Sequence, residues 1–231
     1  MEIFTRSNND MLYKMASSLW PKNITAHQIK GMQQWTDAVG FLYHVINNAK
    51  DIAVIVDEDC FIYDWKTCNE VIQCCIDYKY TNIGMPDGGV CEHRQHSWIT
   101  QNPFFLVLNC AVIRDLIESS GFTYQQINMM GYHPMMEEKQ PFFMHDGIGF
   151  NHDNVEPFAG LFYFLMYYGN PYYLDAIQHF DGISTGLIHV EKQFCWHSWY
   201  SREYLESVSH NHRINDLFVK SQYLHDIHHS I

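Results

Sequence analysis

Two rhythms of apolar positions run through this chain. Met32, Trp35, Val39, Leu42 and Ile46 recur at spacings of three and four, which predicts an amphipathic helix ending near Asn47 and Asn48. Ile52–Val56 follows as an unbroken apolar run, the pattern of a central parallel strand covered on both faces. The pattern further predicts a short strand at Glu2–Arg6, a helix through Met11–Leu19 capped by Asn8, Asn9 or Asp10, and a buried strand at Phe104–Leu108. Thr67 and Glu70 have the spacing of a capping box that opens a helix toward Tyr78. A helix through Ile113–Ser119 is stopped by Gly121, and another runs from Glu156-Pro157 to about Tyr168. Gly169-Asn170-Pro171 breaks that helix and "YYLDA" returns as a strand. The alternation of helices and apolar strands is that of an α/β fold.

The run Ile52–Val56 ends in Asp57, Glu58 and Asp59. In an extended segment Asp57 and Asp59 point the same way while Glu58 points elsewhere. Two carboxylates on one side repel unless a cation lies between them, which suits Mn²⁺ or Mg²⁺ shared with substrate phosphates. A third ligand can come from far along the chain, and His197, between Trp196 and Trp199, stands in an aromatic setting that would hold an imidazole still. An aromatic packing role for His197 is the alternative. An O,O,N donor set favours Mn²⁺ modestly over Mg²⁺.

Composition narrows the picture. The chain has 231 residues, 47% hydrophobic and 16% aromatic, enough for one domain with a substantial core. Its net charge of −12 argues against a broad nucleic-acid surface. Seven cysteines without a CxxC pair indicate neither a disulfide framework nor a zinc knuckle, and a reducing cytoplasm fits them. The first residues carry no apolar signal core and the run around Phe158–Tyr168 is too short and tyrosine-rich to span a bilayer, so a soluble protein is expected.

Three loops rich in Asp-Gly stand between the elements: "GMPDGGV" (84–90), "HDGIGF" (145–150) and "DGISTG" (181–186). Each reads equally as a tight turn or as part of a ligand crevice beyond the carboxyl ends of the strands. Asp87, Gly88 and Gly89, with His93 and Asp146, are the candidate substrate contacts; "CEHRQHSW" suits anion or acceptor contact better than a metal. Asp87, Asp146, Asp153 and Glu156 are candidate general bases, Glu156 first, because a helix N-terminus favours its ionised form; a helix-capping role is its rival. No Walker loop, GxSxG elbow or GxGxxG fingerprint occurs.

In order, "AVIVDEDCFI", "GMPDGG", "NPFF", "NVEPFAGLFYF", "YYLDA", "DGIST" and "HSWYSREY" resemble the GT-A-type glycosyltransferases, the nucleotide-diphospho-sugar transferases of bacteria and their viruses, over roughly residues 1 to 205. The resemblance implies a Rossmann-like fold with a mostly parallel central sheet flanked by helices. It implies one domain, with a nucleotide-binding part to about residue 60, an acceptor part carrying the metal histidine to about 205, and a C-terminal tail over 206–231. It makes Asp57 and Asp59 the D-x-D, with Glu58 between them, and His197 the late metal ligand. Glu156 falls where inverting members carry their base. Thr5, Arg6 and Asn8 would meet the nucleotide, although no clear second strand is legible between the first helix and residue 52. The expected donor is a nucleotide-diphospho-sugar, a UDP-sugar favoured, and the acceptor a hydroxyl. A metal-dependent phosphohydrolase or nucleotidyltransferase and a non-catalytic carbohydrate-binding protein are the alternatives.

Overall fold

A computed structural model of the chain describes residues 1–32, 34–87, 90, 97–139 and 156–230. Two sheets organise it. The larger has six strands in the order β2 (Thr25–Ile29), β1 (Glu2–Arg6), β3 (Ile52–Val56), β6 (Gln101–Asn109), β5 (Asn82–Pro86) and β7 (Tyr172–Tyr173). The smaller is antiparallel, in the order β4 (Cys60–Ile62), β10 (Lys192–His197), β9 (Thr185–His189) and β8 (Asp175–Gln178).

The apolar run of β3 is explained by its two-sided burial. Ile52, Val54 and Val56 enter one core, shared with α1 (Asp10–Ser17), α3 (Trp65–Asp77) and the smaller sheet. Ala53 and Ile55 enter the other, shared with α2 (Asp37–Asn48), α4 (Cys110–Ser120), α5 (Tyr124–Asn128) and α6 (Ala159–Tyr168). Helices thus cover both faces of a broadly Rossmann-like sheet. Asn9 caps α1 by accepting from the N–H groups of Met11 and Leu12, and Gly121 ends α4 in the left-handed conformation.

Several expectations are corrected. The sheet is mixed: β6 runs antiparallel to both β3 and β5, whereas the β1–β2, β1–β3 and β5–β7 pairs are parallel. A strand buried on both faces has the same apolar pattern in either direction, so its sense was not readable. A second strand does exist before residue 52: β2 lies at the sheet edge, and its residues "TAHQI" are exposed or half-buried, without an apolar signature. The helix predicted from Met32 begins only at Asp37, leaving Trp35 outside it and 53% exposed. Asp64, not Thr67, caps α3, its carboxylate accepting from the Thr67 N–H. "YYLDA" splits between the sheets as β7 and β8. Residues read as a tail form α7 (Val208–Ser230), which buries Ile214 and Leu217 in the first core. Among the described residues no helix is long and apolar enough to cross a membrane.

Helices α5 and α6 cross closely at Gly160. A Cβ added there would lie 2.5 Å from the carbonyl oxygens of both Ile127 and Asn128. In Gly160→Ala the gain in helix propensity is about 1 kcal/mol, against overpacking that costs typically about 1–3 kcal/mol. Backbone cannot yield as a flexible side chain can, so the clash should win. The expected outcome is a lower urea midpoint with an unchanged m-value; an equal or higher midpoint would mean that the two helices are not in this contact.

Candidate metal and ligand site

The site forms where β3 surfaces and the smaller sheet begins. After Val56 the chain turns through Asp57, Glu58 and Asp59, the Cys60 N–H donating to the Asp57 carbonyl at 3.0 Å, and enters β4 at once. In β10, Trp196 pairs with Phe61 and His197 with Cys60. This register sets a residue distant in sequence beside the acids. Ligand atoms of Asp57, Asp59 and His197 all lie within 4.8 Å of one another. His197 Nε2 is 3.3 Å from Asp59 Oδ1, and its ring lies flat on Phe104, centroids 4.0 Å apart, with Trp199 edge-on at 4.3 Å. The aromatic setting and the ligand geometry therefore coexist.

Each acid meets its charge differently. Burial alone would raise Asp59, but His197 and the Ser198 hydroxyl, donating to Asp59 Oδ2 at 2.7 Å, hold it below the ordinary carboxylate range. Asp57 is pushed up to about 6, chiefly by desolvation and further by Asp59, with only partial relief from Arg6 and His197. Glu58 is pushed up to about 7 by burial, despite hydrogen bonds from Ser7, Asn8 and Asn9. It points away from its neighbours, its Oε2 accepting from the Ser7 hydroxyl and from the Asn8 and Asn9 N–H groups at 2.8 Å each. The O,O,N set, with one carboxylate poorly compensated by the protein, fits a divalent cation such as Mn²⁺ or Mg²⁺ and is consistent with a metal-binding site.

A cleft of about 360 Å³ opens over these groups. Arg6, Asn8 and Glu58 line it, together with Glu156. Thr5, expected beside Arg6, is fully buried with its hydroxyl unpartnered and takes no part in the wall, because successive residues of β1 face opposite sides. Glu156 precedes α6 instead of capping it: Phe158 holds the cap position without a side-chain bond, and the Glu156 carboxylate accepts from Trp35 Nε1 at 2.7 Å. Asp87 lies behind the wall, accepting a 2.5 Å bond from Asn102, whose side chain does line the cleft. Gly88, Gly89, His93, Asp146 and Asp153 lie outside the described residues, as do the loop at 145–150 and most of "CEHRQHSW". The loop at 181–186 is a turn closed by its own aspartate: Asp181 accepts from the Ile183 and Ser184 N–H groups and the Ser184 hydroxyl.

Several contributors were not singled out in sequence. Trp35 was absorbed into a helical period, and Phe104 into a buried strand. Arg202, five residues after His197, lines the cleft as a second guanidinium besides that of Arg6. Its adjacency to the histidine was the available signal. Arg213 of α7 had none: its guanidinium donates to the carbonyls of Ser198 and Trp199 and to the Ser184 hydroxyl. It thereby grips a segment in which Trp199 and Tyr200 are both left-handed, each with φ near 60°. Such non-glycine conformations cost on the order of 1–3 kcal/mol and persist only where surrounding bonds enforce them.

The shifted acids give a pH-dependent prediction. Asp57 and Glu58 titrate higher in the folded chain than their ordinary values of 3.8 and 4.5, so they stabilise the metal-free fold at low pH and lose that contribution as pH rises through about 6 and about 7. A cation between Asp57 and Asp59 requires the ionised forms. The rise in melting temperature on adding Mn²⁺ should therefore grow steadily from pH 5 to about pH 7.5. Asp57→Asn should abolish the response and reduce the pH dependence of the metal-free protein to the part that Glu58 contributes. A Mn²⁺ response independent of pH, or retained in the variant, would place the ion elsewhere. No protein-family model matches the chain, and no curated protein matches it at a significant level.

Proposed function

We propose that the cleft is the active site of a metal-dependent glycosyltransferase that moves a sugar from a nucleotide-diphospho-sugar to an acceptor hydroxyl. The observation that carries this reading is the convergence of Asp57, Asp59 and His197 at the carboxyl end of a central strand, in a cleft also lined by Arg6 and Arg202. Among the described residues, buried Arg6 Nη1 has no hydrogen-bond partner, which suits a guanidinium awaiting an anionic group. A cation site flanked by two arginines matches the charge of a diphosphate. The order of motifs that resembles GT-A enzymes, and helices covering both faces of a Rossmann-like sheet, support the same reading.

Asp57, Asp59 and His197 would hold a divalent ion, which would supply Lewis-acid stabilisation to the charge that grows on a departing diphosphate. Arg6 and Arg202 add charge-assisted hydrogen bonds to the same oxygens, strongest when the charge is greatest. The acceptor oxygen forms its bond to the anomeric carbon as the bond from that carbon to the phosphate oxygen breaks, and the electron pair leaves with the diphosphate. Glu156 takes the hydroxyl proton. Trp35 Nε1 holds that carboxylate in one orientation, and the rings of Phe158 and Tyr200 help to exclude water from the cleft.

The test combines binding with turnover. UDP and UDP-sugars should raise the melting temperature more with Mn²⁺ than without it. Glu156→Gln keeps an oxygen that can accept from Trp35 but removes basicity. It should leave donor and Mn²⁺ binding nearly intact and cut transfer by about two decades or more. Transfer surviving within a few-fold would release Glu156 from the role of base. Donor hydrolysis that is equally fast with and without a hydroxyl acceptor would mark a phosphohydrolase, and sugar binding without nucleotide affinity a carbohydrate-binding protein.

A further inference from the structure

Where β1 ends and α1 begins, the turn Ser7-Asn8-Asn9 presents two consecutive N–H groups and a hydroxyl. In Rossmann-like folds a strand-to-helix turn of this kind is a ready anion site, because its donors are unsatisfied and the helix dipole favours negative charge. Here the anion is the chain's own. Oxygen Oε2 of Glu58 accepts all three bonds, and the residue is only 3% exposed. The arrangement extends outward: Ser7 Oγ accepts from Gln28 Nε2 at 2.9 Å, the same amide donates to Asp10 Oδ1 at 2.8 Å, and Lys30 closes on Asp10 at 2.5 Å. The ends of β3, β1 and β2 and the first turn of α1 are tied through one carboxylate.

We propose that Glu58 is a positioning residue, a built-in carboxyl group that fills this cradle and so fixes the wall carrying Arg6 and Asn8. In its ligand clause the inference rests on the nucleotide reading above. With the cradle filled, a ligand phosphate finds no open N–H groups at α1, and its charge must be met by the ion and by Arg6 and Arg202. Glu58 is then the acid of the triplet that holds neither ion nor substrate.

Chemical rescue tests this directly. Glu58→Ala removes the atoms of one acetate ion and leaves the three donors in place. Its melting temperature should fall, and sodium acetate should restore it more than sodium chloride at equal ionic strength, with no such preference in the wild type. UDP affinity in the presence of Mn²⁺ should drop roughly tenfold in Glu58→Ala, because an ordered wall is lost, and acetate should recover much of it. Glu58→Gln retains an oxygen that can accept all three bonds. It should stay folded and bind Mn²⁺ within a few-fold of the wild type. A loss of Mn²⁺ affinity of about tenfold or more in Glu58→Gln, the scale of disturbing a metal ligand or its immediate partner, overturns the positioning role. Equal effects of acetate and chloride on Glu58→Ala overturn the cradle. If UDP fails to bind the wild type, the nucleotide reading falls, while the acetate arm still decides the role of Glu58.

Discussion

Three carboxylates in succession at the end of a buried strand repel one another and resist leaving water, and the rest of the site is arranged around that conflict. The chain treats each acid separately. Asp59 is matched by His197 and Ser198, brought across from the smaller sheet. Glu58 is turned into the β1–α1 turn and saturated by three donors. Asp57 is opposed by desolvation and by Asp59, with Arg6 its main relief. A carboxylate left short of positive charge beside the Asp59–His197 pair leaves the site poised toward a cation.

This explains why two sheets are needed. The larger sheet delivers the acids at the carboxyl end of β3, and the smaller begins one residue later with β4, so that the β4–β10 register carries His197 to Asp59. The cluster lies on the seam between the sheets, and its geometry is set by backbone pairing more than by side-chain flexibility. His197 is mounted on a strand and the turn carrying the acids is held between β3 and β4, so the groups are placed more closely than on a free loop.

What could be read from the residues alone follows from which signals are local. β1 and β3 were legible to the residue, β3 because an apolar run bounded by polar clusters is unambiguous over five positions. The acids and His197 were legible as donors, since their chemistry and their placement against a strand and an aromatic cluster are both visible. β2 was not, because an edge strand with half-exposed residues carries no apolar rhythm. Trp35 fell in step with a helix that starts two residues after it. The direction of β6, the separate tasks of Glu58 and Asp59, and the reach of Arg213 into the 198–200 segment depend on contacts between distant residues, which no local window contains.

The grip of Arg213 on the strained segment after His197 also bears on how the molecule is made. A chain emerging from the ribosome displays Asp57 and Asp59 early, but it cannot complete the donor set before residue 197 appears, nor clamp the left-handed turn at Trp199 and Tyr200 before residue 213 does. Because domains tend to fold as units during synthesis, the nascent acids wait for His197 until β10 has been made. The order of residues along the chain thus acts as a timer, completing the candidate cation cluster only after both sheets have their strands.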